Sequence, residues 1–381
     1  MNRSAARSRL PVDRLLFTAT LALLVIGLWM VFDASYVKTL DSARMGHDAF
    51  FFVKRQAVGA ILGLGALFTM MRVGYWHLRR LAVPLMLLGL VCLCAVWLPR
   101  IGINENHANR WVALGPIRFQ PSELAKLTLI IYLAALLSRV HCNVRDLGQG
   151  LGPPLAVTTL YLILIEREPD LGTAFVLFLA VLTQCFLAGA RKRHLALVCA
   201  VGGLAVLLMG FGFGHRAGRI TTFLHPEKDT QGIGYQIFHS RLAIGSGGWS
   251  GAGLGEGREK YFLPQGNTDF IFATIAEELG FFRTASVLGL LCLVGWRGFR
   301  IACQTRDRFG ALLAAGIAAL ISWQALINVA VATASIPATG VPLPFISYGS
   351  SSLVFLLAGI GILLNIAQNP TPPGQPVETH D

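Results

Sequence analysis

One acidic residue stands where a glycine-rich loop meets a segment apolar enough to cross a membrane. Asp269 lies in the run NTDFIF, residues 267–272. A carboxylate at such a border is costly unless it has a partner or a task, so it is a functional candidate by default. The alternative is structural, because Thr268 or Asp269 could cap the helix that follows. The local sequence leaves both roles open.

A second group of charges opens another apolar segment. Residues 121–126 read PSELAK, with Ser122 as a candidate N-cap. Glu123 suits the positive end of a helix dipole, whereas Lys126 lies one turn into the apolar segment and needs an anion. Glu123, three residues earlier, could supply that anion as a structural ion pair. A lipid-linked phosphate could supply it as well, and the sequence leaves both interpretations open.

Two irregular segments accompany these charges. Residues 245–257 contain seven glycines, and glycine backbone can approach and cradle phosphate. Composition alone favours a flexible connector for that stretch. Residues 337–352 combine repeated proline with glycine, which predicts an irregular path. The segment reads either as a rigid outer loop or as a cavity wall, and its serine hydroxyls, Ser347 among them, could hydrogen-bond a sugar.

These residues need a membrane scaffold to position them. Of 381 residues, 54% are hydrophobic and 14% charged, and the mean hydropathy is +0.60, which indicates an integral membrane protein. We predict an all-α fold in which ten apolar runs each approach the roughly 20 residues that cross a bilayer. The runs cover about 14–34, 50–71, 80–98, 121–138, 153–166, 170–189, 195–213, 268–296, 310–333 and 345–367. The eighth is long enough to tilt or break near Gly280.

Charge placement predicts the orientation. Arginine and lysine concentrate at the N-terminus and in alternate short loops, which the positive-inside rule assigns to the cytoplasm. Ten spans then place both termini in the cytoplasm and a large loop, about 214–267, outside between the seventh and eighth spans. We predict one polytopic domain over 1–369 and a disordered tail over 370–381. Because the net charge of +12 follows topology, nucleic-acid binding is not expected.

Eight short motifs occur in order along the chain. They are RWVALG (110–115), FQPSELAKL (119–127), EPDLGT (168–173), GIGYQ (232–236), AIGSGG (243–248), TDFIF (268–272), EELG (277–280) and TGVPLPFISYG (339–349). Together they resemble the shape, elongation, division and sporulation family, the FtsW/RodA/SpoVE group, and they lean toward the FtsW and SpoVE branch. The chain departs from the family pattern at His239, Gln265, Asn267 and Ser350.

The resemblance implies an inverting glycosyltransferase that polymerises lipid II, with undecaprenyl pyrophosphate as the leaving group, at the outer face of the bacterial cytoplasmic membrane. Asp269 holds the position of the family's essential aspartate and would accept the proton of the attacking hydroxyl. Cations would stabilise the leaving group. The candidate substrate-binding residues are Trp111, Arg118, Glu123, Lys126, Lys260 and Ser347, with Arg110 and Glu277 as further candidates. A divalent cation, Mg or Mn, is another candidate, and no metal ligand is assigned.

The resemblance also implies partners. These are a class B penicillin-binding transpeptidase and other divisome or elongasome proteins, besides lipid II and membrane lipids. Two other functions stay open, a flippase for lipid-linked precursors and a non-catalytic division scaffold. Against a transporter, the sequence shows no paired discontinuous helices of the inverted-repeat kind.

Overall fold

The computed structural model describes residues 10–40, 47–98, 102–105, 108–114, 117–139, 143–212 and 232–370. This part of the chain is mostly helical and contains eleven α-helices. They are α1 Arg14–Leu40, α2 Phe51–Arg72, α3 Trp76–Ala95, α4 Pro121–Leu137, α5 Gly152–Arg167, α6 Leu171–Leu187, α7 Lys192–Gly212, α8 Ile233–Ser246, α9 Ile271–Gln304, α10 Arg308–Ala332 and α11 Ser350–Gln368. The predicted tail beyond residue 370, residue 213 of the seventh predicted run and residues 214–231 of the predicted outer loop lie outside the described residues.

Each of the ten predicted apolar runs overlaps one of these helices, and α8 is additional. Seven segments of the described chain are long and apolar enough to cross a membrane, namely α1, α2, α3, α5 with the turn before it, α9, α10 and α11. Helix α6 is a shorter apolar helix. The chain is therefore a multi-pass membrane protein, and the full count of ten spans stays a prediction.

The buried share of each helix indicates whether it lies at the centre or at the periphery of the bundle. Within an apolar stretch of 18 residues in α10, 72% is buried inside the protein, whereas the corresponding share in α3 is 22%. Helix α4 is also almost wholly buried, from Pro121 to Leu137. A helix that is apolar all round and buried all round belongs in the middle of a bundle. Helices α4, α10 and α11 therefore form the centre, and α3 lies toward lipid.

The prediction of an all-α fold is wrong in the loop before α4. That loop contains a three-stranded antiparallel sheet with β1 at Gly102–Glu105, β2 at Ala108–Leu114 and β3 at Ile117–Phe119. Trp111 pairs with Ile103 on β1. The strands are rich in aromatic and β-branched residues, which favour extended backbone, and they are too short to show a periodic apolar face.

Helix α9 breaks at Gly280, as the sequence predicts. Gly280 has φ 73° and ψ −179° within an otherwise helical run. The glycine-rich stretch 247–257 packs against this break, where the Ala252 amide donates to the Glu277 carbonyl over 2.9 Å and the Phe281 amide donates to the Gly248 carbonyl over 2.9 Å. The stretch is thus a packed loop, and the flexible-connector interpretation is wrong for it.

We expect alanine at Gly280 to destabilise the protein by about 2 kcal/mol or more, because the backbone angles there favour glycine alone. An added Cβ would also lie 2.1 Å from the amide nitrogen of Gly251. Gly289→Ala is the matched control on the same helix, since a Cβ there meets nothing within 4 Å. Thermal unfolding in detergent measures both variants. Equal melting temperatures for the two would contradict the packing of the loop on the break.

Candidate active site at the start of helix α9

Asp269 lies in a turn immediately before α9. The helix begins at Ile271, and its N-cap is Phe270, which makes no side-chain capping bond. The Thr268 hydroxyl donates instead to the Gln265 carbonyl over 3.3 Å. Thr268 is therefore not the helix cap, and Asp269 stands one residue before the N-cap with its side chain half-buried.

A buried amide on α10 fixes the backbone of Asp269. Asn328 is fully buried, and its Nδ2 donates to the Asp269 carbonyl over 2.8 Å and to the Val341 carbonyl over 2.7 Å. Val341 belongs to residues 337–349, the proline segment. Within this segment Gly340 has φ 76°, and a Cβ there would lie 3.6 Å from Oδ2 of Asp269. The proline segment therefore forms one wall beside the carboxylate.

Ser347 ties the end of the proline segment to the same turn. Its hydroxyl donates to the Thr268 carbonyl over 2.7 Å and accepts from the Leu343 amide over 2.7 Å. The Tyr348 amide donates to the Asn267 carbonyl over 2.9 Å. Ser347, a predicted sugar ligand, is buried and holds the backbone around Asp269. This contact agrees with a positioning role, and the predicted role in substrate binding stays a prediction.

The predicted pair on α4 meets in the core. Lys126 Nζ lies 2.9 Å from Glu123 Oε1, and both side chains are buried. Lys126 also donates to Gln324 Oε1 over 3.2 Å, and Gln324 Nε2 donates to the Pro342 carbonyl over 3.0 Å. Of the two interpretations left open by the sequence, the structural ion pair is thus present. It connects through Gln324 to the wall beside Asp269.

Arg110, a further candidate for the site, contacts the turn that carries Glu168, a residue that sequence reasoning did not single out. Arg110 on β2 donates through Nε to the Glu168 carbonyl over 3.0 Å and through its guanidinium to the Pro169 carbonyl. Glu168 is fully buried, and within the described chain neither of its carboxyl oxygens has a hydrogen-bond partner. Burial first, and then the nearby charge of Asp170, raise the pKa of Glu168 from 4.5 to about 9. In the sequence, the only indication that Glu168 matters is its position in the motif EPDLGT.

The first turn of α6, which follows Glu168 in the chain, contacts the proline segment. A Cβ at Gly172 would lie 2.3 Å from the Thr339 carbonyl oxygen, so the two backbones touch. Asp170 caps α6 through the Thr173 amide over 3.1 Å. The remaining predicted residues of this region, Trp111 and Arg118, lie on the adjoining sheet, half-buried and exposed respectively.

Lys260 lies in a separate buried cluster. Its Nζ is 3.0 Å from Asp33 Oδ1 and 2.8 Å from Glu278 Oε1. Burial acts to lower the pKa of Lys260, but the hydrogen bonds and charges of Glu278 and Asp33 outweigh it, and the net pKa is raised. Glu278 lies about two turns into α9, roughly 10 Å along the helix from its start. The structure therefore does not place the Lys260 ammonium beside the Asp269 carboxylate.

Backbone amides of the glycine-rich stretch, and of the two residues that follow it, donate to carboxylates of α9. Glu277 Oε1 accepts from the Arg258 amide over 2.7 Å and the Glu259 amide over 3.1 Å. Glu278 accepts from the Gly255 amide over 3.2 Å. Glu277, a further candidate for the site, thus fixes the loop that leads to Asp269.

The described residues contain no group of three or more histidine, cysteine, aspartate or glutamate side chains placed to hold a metal ion. Glu123, the buried carboxylate of the α4 pair, is engaged by Lys126. A divalent cation, Mg or Mn, therefore stays a prediction without an assigned ligand, and no step below depends on one.

Known proteins resemble this chain over nearly its full length. The family model for FtsW, RodA and SpoVE, described as cell cycle protein, matches residues 13–371. Stage V sporulation protein E of Bacillus subtilis is 40% identical over 357 residues, which cover 93% of this chain and 97% of the relative. A probable peptidoglycan glycosyltransferase FtsW of Trichlorobacter lovleyi is 40% identical over 357 residues, or 93% of each chain.

A solved structure shares the fold. It is a chain of a peptidoglycan synthase complex that coordinates polymerization and crosslinking, with a TM-score of 0.79 and 30% identity. The match covers 95% of this chain and 99% of that one. Sequence and fold comparisons thus agree over the whole region that carries the site.

We expect Lys126→Met to destabilise the protein by about 3 to 5 kcal/mol, because it leaves the Glu123 carboxylate buried without its cation. The double variant Glu123→Gln/Lys126→Met removes both charges and should recover most of that loss. Thermal unfolding of wild type, both single variants and the double variant gives the coupling between the two sites. Additive losses would contradict the ion pair.

The stability of the protein should fall as pH rises between about 5 and 9, because folded Glu168 retains a proton that the unfolded chain releases near its ordinary pKa. Each pH unit in that window costs about 1.4 kcal/mol for this group. Glu168→Gln should make this slope much shallower and stabilise the protein at pH 8.5, whereas Glu256→Gln, at an exposed position, should retain the slope. Unfolding at pH 6 and pH 8.5 tests this, and an unchanged slope in Glu168→Gln would refute it.

Proposed function

The chain belongs to the FtsW, RodA and SpoVE family of cell cycle proteins, and we propose that it polymerises lipid II into glycan strands at the outer face of the bacterial cytoplasmic membrane. It is a peptidoglycan glycosyltransferase, as its FtsW relatives are named. The observation that carries the proposed mechanism is the half-buried Asp269 carboxylate at the start of α9, whose backbone is bonded to Asn328.

Asp269 acts as the general base. The acceptor hydroxyl attacks the anomeric carbon of the donor sugar, a new carbon–oxygen bond forms, and the bond from that carbon to the pyrophosphate oxygen breaks. The hydroxyl proton passes to a carboxylate oxygen of Asp269, and the bonding electrons leave with the undecaprenyl pyrophosphate. Attack from the face opposite the leaving group inverts the anomeric centre. A carboxylate suits this task only if it is held in place before substrate arrives.

The geometry supports such preorganisation. Asn328 holds the carbonyl of Asp269 itself, and Ser347 holds the carbonyl of the preceding residue, Thr268. Both bonds are short, at 2.8 and 2.7 Å, and both come from buried side chains. The backbone that carries the carboxylate is thereby fixed relative to the wall formed by the proline segment, against which the donor sugar would lie.

Positive charge for the leaving group comes from two places in this proposal. Arg118 is exposed on β3 and can approach a pyrophosphate at the protein surface. Lys126 is paired with Glu123, so a pyrophosphate that reaches it would compete with that carboxylate. Trp111 on β2 offers a ring face for a sugar. Lys260 acts indirectly, because its bonds to Asp33 and Glu278 fix the loop that leads to Asp269.

The solved chain with the same fold belongs to a peptidoglycan synthase complex that coordinates polymerization and crosslinking. This supports a crosslinking enzyme as the partner of the present chain. We propose a class B penicillin-binding transpeptidase as the partner, which would crosslink the new strands, together with other divisome or elongasome proteins. The basic loops support an orientation with the N- and C-termini in the cytoplasm, in which Asp269 and the three-stranded sheet would face outward. In this orientation the product emerges on the side where crosslinking occurs.

Asp269→Asn should lower lipid II polymerisation by at least about a hundredfold, because the amide cannot accept the proton. The assay uses purified protein with lipid II in detergent, with and without a penicillin-binding protein, and gels resolve the glycan chains. Asp48→Asn is the matched control, since Asp48 is another carboxylate placed on the outer side and pairs with Lys54. It should retain activity.

Unfolding temperatures separate chemistry from folding. If Asp269→Asn melts like wild type and makes no polymer, the general-base role stands. A variant that melts early would indicate a structural role, and full activity in Asp269→Asn would refute the mechanism. Transfer of lipid II across vesicle membranes without formation of polymer would favour a flippase. The absence of both polymer and transfer would favour a scaffold.

A further inference from the structure

A cavity of about 600 Å³ lies on the basic side of the bundle, at the opposite end of α9 from Asp269. It opens where α1 begins and where α9 and α11 end. Its wall includes apolar side chains of Leu10, Leu15 and Ile301 together with the arginines Arg14 and Arg297. None of these residues takes part in the polymerisation site described above.

The cavity has a defined wall. The Leu10 amide donates to the Gln368 carbonyl over 3.1 Å, which joins the chain before α1 to the end of α11. Asp13 caps α1 through the Leu16 amide over 3.1 Å and binds Arg297 of α9 through its other carboxyl oxygen. Three helix ends are thus held together around the opening, and Asp13 compensates the charge of Arg297.

The ring of Trp296 and one further arginine, Arg300, lie next to the wall residue Arg297. We call Arg14, Trp296, Arg297 and Arg300 the rim of the cavity. Trp296 is 51% exposed, and the guanidinium carbons of Arg297 and Arg300 lie 5.5 and 5.3 Å from the centre of its ring. Arg14 and Arg300 are themselves exposed. Tryptophan beside arginine is typical of the headgroup level of a membrane, where the ring is half in lipid and the cations contact phosphate.

The combination of arginines and an apolar wall favours a ligand that has both a negative charge and an apolar part. Arginines at the rim suit a phosphate, and the apolar wall formed by Leu10, Leu15 and Ile301 suits the glycerol and first acyl carbons that follow it. Inorganic phosphate could use only the arginines. The positive-inside rule places this end at the cytoplasmic leaflet, where anionic lipids produce a negative surface potential. We propose that this cavity binds the headgroup of an anionic glycerophospholipid.

The inference depends on the proposed membrane orientation but not on polymerase activity, so its readout is lipid binding alone. The full-length protein, delipidated in detergent, is titrated with phosphatidylglycerol, and bound lipid is counted by native mass spectrometry. Arg14→Gln/Arg300→Gln should weaken phosphatidylglycerol binding about thirtyfold. The matched control, Lys192→Gln/Arg193→Gln, changes two exposed cations at the start of α7 and should bind like wild type.

A second variant tests the cavity rather than the charge. Ala367→Phe places a ring in the cavity wall and leaves every arginine in place, so it should also weaken binding, while its melting temperature shows that the fold is intact. Phosphatidylcholine should bind far more weakly than phosphatidylglycerol, and millimolar inorganic phosphate should not displace the lipid. Equal binding by the arginine variant and its control, no preference between the two lipids, or displacement by phosphate would each overturn the proposal.

Discussion

The backbone of the proline segment needs hydrogen-bond donors from elsewhere in the protein, and this constraint organises the site. Proline and glycine prevent residues 337–349 from forming a helix, so their carbonyls require other partners at a depth where water is scarce. Two side-chain amides of one central helix, α10, supply donors to two of them. Asn328 and Gln324, four residues apart on α10, bind the carbonyls of Val341 and Pro342. The same amide of Asn328 also holds Asp269.

The buried carboxylates of α9 also depend on donors from other parts of the chain. A carboxylate inside a membrane protein is costly unless it is paired and hydrogen-bonded. Glu278 is fully buried and meets Lys260 and amides of the glycine-rich stretch. That stretch can approach so closely only because α9 breaks at Gly280, where Gly251 lies against the backbone. The break, the glycines and the acidic pair therefore form one structural unit that leads the chain to Asp269.

The two ends of α9 serve different chemistry. At the start of the helix, the half-buried Asp269 carboxylate stands beside an irregular wall whose backbone is held by buried side chains. At its end, Arg297 and Arg300 flank an exposed tryptophan over an open cavity. The first arrangement suits a reaction that needs a base fixed in place. The second suits reversible binding of a lipid, because Arg14, Trp296 and Arg300 are exposed at the surface.

Sequence alone located the apolar helices, the break at Gly280 and the motif around Asp269, because hydrophobic length and backbone permissiveness are local properties. It could not choose between an ion pair and a phosphate site for Lys126, and for the glycine-rich stretch it offered a phosphate cradle or a flexible connector but no packed loop. Those choices depend on which side chains meet across helices, as Lys126 meets Gln324 of α10. Glu168 was passed over because its burial depends on contacts that only the tertiary structure brings together.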